Sequence, residues 1–249
     1  MSQVKLDFKQ VRAVLKNTTQ ALKQEFKTAQ CLLLISVGQE AHEGERFAAT
    51  IELINASFSS CVISLYDGLQ RYTMALNSER GPEDFYACAV KEGDLWLERN
   101  KKYYSRLSIP LKITRGETWL HHQRYSEQHD ELKTMLDRNT IYKTAFNSAI
   151  DGYLSKYTSR LDEASHFNYN RAQLLCFDYI LEECTILCLW PELQCQFEIY
   201  PSRHNVAMEA TRECFIYTRT PHLMRPMQLD FRNANKMKPQ YFEVLHQEK

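Results

Sequence analysis

Two short, uninterrupted apolar runs constrain the fold of this chain more than any other feature. They are CLLLIS (31–36) and SCVISLYD (60–67), and the segment between them carries apolar residues at helical spacing, at Phe47, Ile51 and Ile54. A strand, a helix of about 15 residues and a second strand form a βαβ unit, which pairs the two strands in parallel through a right-handed crossover. The sequence therefore predicts a layered α/β domain.

Further predicted elements continue the alternation of strands and helices. Strands are predicted at 109–116, 193–201 and 227–231, and helices at 84–107, at 171–190 and over most of 117–162. The helix at 171–190 is apolar almost all round, and we expect Pro191 to end it. This order of elements favours an α/β fold with a mostly parallel central sheet.

The composition favours one domain. The chain has 249 residues, of which 44% are hydrophobic, and no stretch rich in proline, glycine or serine divides it. That length suits one sizeable core. We therefore expect a single domain over residues 1–249, with an amphipathic segment at 1–28 and a tail at 232–249.

Charge and hydropathy exclude several classes of protein. The formal net charge is zero, so the chain lacks the positive field of many nucleic-acid binders, and we expect no DNA partner. No apolar run reaches the roughly 18 residues of a membrane span, and the N-terminal stretch lacks the apolar core of a secretory signal. We expect a cytoplasmic protein with reduced cysteines and no membrane partner. Cys184 and Cys188 stand four apart without partners at zinc-site spacing, so we expect no metal.

Polar residues stand where the predicted strands end. Ser36, Asp67 and Tyr200 lie at carboxyl ends of strands, where parallel sheets form their sites. The sequence Val-Gly-Gln after Ser36 can make a tight turn that exposes the hydroxyl and directs N–H groups at an anion. The same hydroxyl can equally cap a helix. The stretch matches neither the G-x-S-x-G elbow of α/β-hydrolases nor a glycine-rich nucleotide fingerprint.

Two polar residues interrupt the apolar helix at 171–190. Tyr179 and Glu183 are four apart and therefore share one face. A carboxylate is rarely buried without a partner, so Glu183 either faces a cleft, where it can hold an ammonium group or act as a base, or forms a structural ion pair. We expect the neighbouring Glu182 to take the exposed stripe of the helix.

A basic cluster occurs in ERNKKYYSRL, within the predicted helix at 84–107. It comprises Arg99, Lys101, Lys102 and Arg106. The cluster is either a solvated surface or a patch that follows RNA phosphates. The histidines of HHQRYSEQH, His121, His122 and His129, lie in a polar stretch, and we expect them to be exposed.

Together these motifs resemble the tRNA-dependent cyclodipeptide synthases. An apolar strand ends in Ser36 with Gln39 three residues on, LYDGLQRYT follows the second strand, YILEE supplies Tyr-x-x-x-Glu, and EIYPSRHNVAME carries Tyr200 and Pro201. Gln39, Tyr200 and Pro201 are similar to the branch named XYP, for a variable residue, a tyrosine and a proline. The other branch has asparagine, tyrosine and histidine at these positions. The resemblance covers roughly residues 30–231.

The resemblance implies a fold and a reaction. The fold is a single Rossmann-like, three-layer domain similar to the catalytic domains of class I aminoacyl-tRNA synthetases, acting as a monomer without ATP or another cofactor. The chain lacks the ATP-binding signatures of those synthetases. Its partners are two aminoacyl-tRNAs. Ser36 takes the first aminoacyl group, the second aminoacyl-tRNA donates its amine to give a dipeptidyl-enzyme, and ring closure releases a diketopiperazine.

The resemblance also assigns roles to residues. Tyr179 and Glu183 hold the substrate α-amino group, Tyr200 orients Ser36, and Gln39 and Pro201 shape that corner. Gly38 lets the turn bring N–H groups near the oxyanion. The basic cluster matches the tRNA-binding helix of the family. The residues that we expect to line the first aminoacyl pocket are apolar, which favours an apolar amino acid: Leu32, Leu34, Ile63, Leu65 and Ile186. Asp67 and Gln70 either face the pocket mouth or cap the following helix.

Two alternative functions remain open from the sequence. One is a non-catalytic tRNA- or RNA-binding module of the same fold. The other is a serine esterase of α/β type, which needs a histidine aligned with Ser36. His42 and His204 are the nearest in motif context, and neither has an evident acidic residue to orient it.

Overall fold

The computed structural model describes residues 11–76, 78–159, 168–201 and 203–233. The strands are β1 (Val11–Leu15), β2 (Gln30–Ile35), β3 (Ser60–Leu65), β4 (Leu111–Arg115), β5 (Phe197–Tyr200) and β6 (Arg225–Asn233). The helices are α1 (Gln20–Phe26), α2 (Gly44–Ser57), α3 (Gln70–Ala75), α4 (Tyr86–Tyr104), α5 (Gly116–Leu120), α6 (Tyr125–Arg138), α7 (Thr140–Thr158), α8 (Tyr169–Leu189) and α9 (Val206–Thr211).

The strands form one six-stranded sheet in the order β1-β6-β5-β2-β3-β4. Every neighbouring pair from β6 to β4 is parallel, and only the edge strand β1 is antiparallel to its neighbour. The predicted α/β class and mostly parallel sheet are therefore confirmed. From β2 the chain proceeds to β3 on one side, whereas β5 lies on the other side, so the carboxyl ends of β2 and β5 flank a crevice of the kind in which open α/β sheets bind ligands.

Helices cover both faces of the sheet and make three layers. On one face α3 and α5–α9 pack over Leu32 and Leu34 of β2. On the other face α1, α2 and α4 pack over Leu33 and Ile35. Alternate residues of β2 are therefore buried on opposite sides, which explains its uninterrupted apolar run.

The long apolar helix α8 is the centre of the first layer. Its N-cap is Asn168, whose side chain accepts a hydrogen bond from the Arg171 N–H at 3.1 Å. The helix ends at Leu189, and the chain then passes into a 3₁₀ turn, Trp190–Leu193, before Gln194 adopts a left-handed φ of 57°. Pro191 thus stops the α-helix as expected, but inside this turn.

The first strand and helix were not predicted as such. The segment expected to be amphipathic contains β1 and α1, and β1 pairs antiparallel with β6 from Val11↔Asn233 to Leu15↔Leu229. Ala13 and Leu15 are buried against the α2 side of the sheet. The expected tail at 232–249 begins inside β6, and positions 234–249 lie outside the described residues.

No helix among the described residues is both long and apolar enough to cross a membrane. All eight cysteines are free thiols. Five of them are buried, whereas Cys88 on α4 is exposed.

A buried ion pair joins the ends of β3 and β4 and lies directly against α4. Asp67 follows β3, and its Oδ2 accepts a hydrogen bond from Arg115 Nε at 2.8 Å. Gly93 of α4 faces this pair, and a Cβ at that position would lie 2.2 Å from Asp67 Oδ2 and 2.8 Å from Arg115 Nη2. Only glycine therefore lets α4 approach the sheet here.

We expect Gly93→Ala to lower the free energy of unfolding by about 2 kcal/mol, because the added methyl group displaces the Asp67–Arg115 pair. Urea denaturation followed by circular dichroism measures this change. The matched control is Gly152→Ala in α7, where a Cβ meets nothing within 4 Å; it should stabilise the chain by up to about 1 kcal/mol. Equal effects of the two substitutions would contradict the packing argument.

Candidate active site

The crevice between β2 and β5 brings Ser36 and Tyr200 together. Ser36 directly follows β2, and Tyr200 is the last residue of β5. The hydroxyl oxygens of the two side chains lie 3.2 Å apart, which is hydrogen-bond distance, although the residues are 164 positions apart in sequence. The parallel pairing of the two strands therefore builds the contact.

A tight turn presents the Ser36 hydroxyl. The Gln39 N–H donates to the Ser36 carbonyl oxygen at 3.3 Å, and Gly38 has a φ of 82°, the left-handed value that the third position of a type II turn requires. Gln70 of α3 donates through Nε2 to the Val37 carbonyl and holds the turn from the other side. Gln70 thus supports the turn, which is neither of the two roles expected for it.

His42 holds the backbone of Ser36. Its Nδ1 lies 2.9 Å from the Ser36 backbone nitrogen and 3.1 Å from the Ser36 carbonyl oxygen. The ring is buried, and burial lowers the pKa of His42 to about 4, so the imidazole is neutral at physiological pH. Because Nδ1 faces the main chain, and the described residues give the Ser36 hydroxyl Tyr200 as its partner, His42 is not arranged as the base of an esterase.

Tyr179 and Glu183 lie on one turn of α8, as predicted, and bond to each other. The Tyr179 hydroxyl donates to Glu183 Oε1 at 3.4 Å. Asn205 Nδ2 donates to Glu183 Oε2 at 3.0 Å. Tyr66 donates to the Glu183 backbone carbonyl at 3.5 Å, and the Tyr153 ring stacks on Tyr179 with centroids 6.1 Å apart.

Burial sets the protonation states of these groups. It raises the pKa of Glu183 to about 7, against the lowering effects of the His204 charge and of the hydrogen bonds from Asn205 and Tyr179. Burial also raises the pKa of Tyr200, while its bond with Ser36 lowers it, and raises the pKa of Tyr179 well above its usual value. Both phenols are therefore protonated donors, and Glu183 can gain or lose a proton near neutral pH.

Glu182 is buried and structural, which corrects the expectation that it would be exposed. Its carboxylate is paired with the buried Arg71 of α3, with Nη1–Oε1 at 2.8 Å and Nη2–Oε2 at 2.5 Å. The Tyr72 hydroxyl donates to Oε2 at 3.1 Å. The cost of burying this charge is offset by the bidentate pair.

Asp67 does not face the crevice. It is buried, it is paired with Arg115, and its Oδ1 accepts a hydrogen bond from the Gly68 N–H at 2.9 Å. The predicted substrate-binding role of Asp67 is therefore wrong, because the carboxylate is needed to neutralise Arg115.

The predicted pocket residues fall on two different faces of the sheet. Leu32, Leu34 and Ile186 pack together on the α8 side. Ile63 and Leu65 are buried on the opposite side with α2 and α4, so they cannot line a cavity on the α8 side. The prediction of these two residues is wrong because a continuous apolar run hides which residues face which layer.

A small, partly open apolar pocket lies beside Tyr179. Aromatic rings and leucines from α3, the residue after it, α7 and α8 line this pocket, together with Cys176, one turn before Tyr179. The other residues that line it are Tyr72, Thr73, Leu76, Tyr153 and Leu175. None of them was predicted from the sequence.

The basic cluster lies on the exposed side of the last two turns of α4 and just beyond them. Arg99 Nη2 is paired with Glu43 Oε1 at 2.8 Å. Lys101, Lys102 and Arg106 are exposed. Arg99 is therefore partly neutralised, and the other three cations carry the positive charge of this surface.

Most of the other histidines differ from the sequence-based expectations in their exposure or in their partners. His121 is exposed as expected, whereas His122 is partly buried with its Nε2 2.8 Å from Glu192 Oε2, and His129 is partly buried beside Tyr125. His204 has an acidic partner after all, since its Nε2 lies 2.5 Å from Glu198 Oε1. Within the described residues, no group of three histidine, cysteine or acidic side chains could hold a metal ion.

Sequence reasoning missed several residues around the crevice. His42 and Asn205 are the clearest cases. Asn205 is the N-cap of α9, accepting from the Met208 N–H at 2.9 Å while donating to Glu183. An asparagine just before VAMEAT signals a helix start, but nothing local to the sequence indicates that the same amide reaches α8.

The arrangement combines a hydroxyl nucleophile with groups that can manage protons. Ser36 is held by a phenol at the crevice, and Glu183 and Tyr179 offer a carboxylate and a hydroxyl that can hold an ammonium group and accept its proton. Such a site suits acyl transfer from an already activated ester, which does not require the strong base that amide cleavage needs.

Solved structures of cyclodipeptide synthases resemble this chain along most of its length. One from Fluoribacter dumoffii is 40% identical, with a TM-score of 0.85 over 89% of this chain and 99% of that chain. Another, from Candidatus Glomeribacter gigasporarum and bound to Phe-tRNAPhe, is 16% identical, with a TM-score of 0.74 over 92% and 99%. A Mycobacterium tuberculosis protein, whose structure relates cyclodipeptide synthetases to type I tRNA synthetases, is 14% identical, with a TM-score of 0.60 over 90% and 94%. No family model and no curated protein matches the chain.

The raised pKa of Glu183 has a consequence for stability. Because the folded-state pKa of about 7 exceeds the ordinary value of 4.5, the folded chain binds more protons than the unfolded chain between these values, and stability falls as the pH rises through this window. Glu183→Gln removes this penalty. We expect the variant to be more stable than the wild type by up to about 3 kcal/mol at about pH 8.

At about pH 4.5 the difference should vanish, since a protonated glutamate and a glutamine are nearly isosteric. Urea denaturation of both chains across this range measures the effect. A stability difference that does not change with pH would contradict the assignment of the titrating group.

Proposed function

This chain belongs to the cyclodipeptide synthase family, and we propose that it joins two aminoacyl groups by a ping-pong mechanism through covalent intermediates on Ser36. Enzymes of this family use aminoacyl-tRNAs. The observation that supports the proposal most directly is the 3.2 Å contact between the Ser36 and Tyr200 hydroxyls at the crevice.

In the first step Ser36 Oγ attacks the ester carbonyl carbon of the first aminoacyl-tRNA. A new O–C bond forms, the C–O bond to the ribose breaks, and the serine proton ends on the departing ribose hydroxyl. Tyr200, as a protonated phenol, orients Oγ by a hydrogen bond. Because the ester is already activated, positioning supplies most of the help that the serine needs.

In the second step the amine of the bound aminoacyl group attacks the ester of the second aminoacyl-tRNA. This direction corrects the one expected from the sequence, because attack by the second amine on the serine ester would leave the dipeptide on tRNA. An N–C bond forms, the second ribose leaves with a proton, and the dipeptidyl group stays on Ser36. The new terminal amine then attacks the serine ester, closes the ring and frees Ser36.

Glu183 supplies the proton chemistry of these steps. An α-amino group has an ordinary pKa of about 8, so it is mostly an ammonium ion and must lose a proton before it can attack. The Glu183 carboxylate, with a pKa of about 7, is matched to accept that proton. Tyr179 fixes the carboxylate by a 3.4 Å hydrogen bond and, with it, holds the amino group.

The residues around the turn after β2 support membership of the XYP branch. Gln39 interacts with the Tyr200 hydroxyl and lowers its pKa, and Pro201 follows Tyr200 directly. These three residues therefore form one corner around the nucleophile. Because Ser36, Tyr179, Glu183 and Tyr200 come from one chain, a monomer carries a complete site.

The apolar surroundings of α8 select the first amino acid. Leu34 and Ile186 are packed on the same face of the sheet as Tyr179. Burial of an apolar side chain against such surfaces favours it over a polar one by about 25 cal/mol per Å². The first substrate is therefore an aminoacyl-tRNA that carries an apolar amino acid.

We expect Ser36→Ala to abolish both the covalent intermediate and the product. Wild-type protein mixed with a pool of charged tRNAs should gain the mass of one aminoacyl group by intact-protein mass spectrometry, and a cyclodipeptide should accumulate. The matched control is Ser64→Ala on the neighbouring strand, whose buried hydroxyl makes no hydrogen bond within the described structure; it should keep both. Cyclisation by the Ser36 variant would rule out this nucleophile.

The same experiment distinguishes the proposed enzyme from a non-catalytic tRNA-binding module. Such a protein would bind tRNA but would give neither a covalent adduct nor a cyclodipeptide with any charged tRNA. That outcome in the wild-type chain would overturn the proposed function.

The exposed cations of α4 and the residues after it bind the tRNA backbone. Single substitutions Lys101→Ala, Lys102→Ala and Arg106→Ala should each raise KM for aminoacyl-tRNA about 5-fold with kcat unchanged, since a phosphate contact stabilises binding without touching the chemistry. Each should also reduce the slope of log KM against log salt by roughly 0.7–0.9. Steady-state kinetics at several salt concentrations measure both effects.

Two variants provide controls for this surface. Arg99→Ala should have a smaller effect, because Glu43 already offsets its charge. Lys143→Ala on the exposed side of α7 should leave KM and its salt slope unchanged. An equal effect of the Lys143 substitution would show a non-specific response to charge.

A further inference from the structure

A buried cluster of charges lies directly behind the crevice, and the steps above do not use it. Glu198 of β5 is 1% exposed, and Arg212, which follows α9, is 0% exposed. The Glu198 carboxylate is paired with Arg212 Nη2 on one side and lies 2.5 Å from His204 Nε2 on the other. Arg212 Nη1 also donates to the Met224 carbonyl at 3.0 Å. Buried charges are costly unless they are paired, so the cluster needs a physical explanation.

The cluster is linked to Ser36 through the ring of Tyr200. The His204 imidazole stacks on the Tyr200 ring, with centroids 5.3 Å apart and an angle of 18° between the planes. Tyr200 in turn hydrogen-bonds Ser36. Glu198 therefore fixes an imidazole that stacks on the phenol ring bonded to Ser36.

The same short segment also reaches the carboxylate of α8. Asn205, the residue after His204, donates to Glu183 Oε2 at 3.0 Å. The segment between β5 and α9 thus contacts two of the groups that the proposed mechanism requires, the phenol through His204 and the carboxylate through Asn205.

We propose that His204 is a positioning residue for the reaction: anchored by Glu198, its imidazole braces the Tyr200 ring so that the phenol holds Ser36. This inference rests on the proposed function, because it assigns His204 a role in the same site. The stacked ring and the contact with Glu198 can be separated by substitution.

Two substitutions separate the stacked ring from the contact with Glu198. His204→Phe keeps a flat ring that can stack on Tyr200, but it has no partner for Glu198. His204→Gln places an amide nitrogen near the position of Nε2, so that it can still bond Glu198, but it has no ring. The Gln variant preserves a partner for the buried carboxylate and provides a folded protein if the Phe variant is unstable.

The experiment measures the rate of Ser36 acylation by rapid mixing and mass spectrometry, and KM for aminoacyl-tRNA, in the full chain. Acylation should stay within about 3-fold of wild type in the Phe variant but fall about 30-fold in the Gln variant, because the nucleophile loses its orientation. KM for aminoacyl-tRNA should not change.

The control is His222→Phe, since His222 is exposed, and it should match wild type in both measurements. If the Gln variant keeps the wild-type acylation rate, or if the rates of both variants simply follow their stability, His204 is merely structural and the inference is overturned. If wild-type protein itself forms no covalent adduct, the proposed function fails instead, so the two failures are distinguishable.

Discussion

The parallel pairing of β2 with β5 is the constraint on which the rest of the site depends. It aligns Leu32 with Glu198 and Leu33 with Ile199, so both strands end at the same edge of the sheet and flank the switch in strand order. A slip of one residue would turn Tyr200 to the opposite face and away from Ser36. Register is secured because each strand is buried on both faces, where a slip would bury the Glu198 carboxylate in the apolar core.

Helix α8 carries two adjacent carboxylates whose different partners give them different roles. Both carboxylate oxygens of Glu182 accept hydrogen bonds from Arg71, and this bidentate pair links α8 to α3. Glu183 receives only neutral donors, from Tyr179 and Asn205, so burial dominates and its pKa rises towards neutrality. The difference is one of partners: a guanidinium makes a structural carboxylate, and two neutral donors leave one that can exchange protons.

The sequence was sufficient where the signal was periodic and local. The strands that end at Ser36 and Tyr200, and the i, i+4 pair on α8, follow from apolar runs and helical spacing. The sequence was insufficient where residues had to be assigned to a face of the sheet, as for Ile63 and Leu65. An unbroken apolar strand has no polar positions that show which residues point to which face. Strand β1 was missed because it has only five residues, too few for an alternation of apolar and polar side chains to stand out after a charged stretch. The contact between His204 and Glu198 could not be predicted, because nothing in the local sequence indicates that the two side chains meet.

The histidines around Ser36 are not placed as they are in a serine hydrolase, where an imidazole bonds the hydroxyl and draws off its proton. Here His42 Nδ1 is bonded to the main chain of Ser36, His204 Nε2 lies against Glu198, and the Ser36 hydroxyl is bonded to Tyr200. The group suited to accept a proton is therefore the Glu183 carboxylate, whose pKa burial raises to about 7. Under the proposed mechanism that carboxylate takes the proton of a substrate ammonium group, so the site favours an amine as the attacking group.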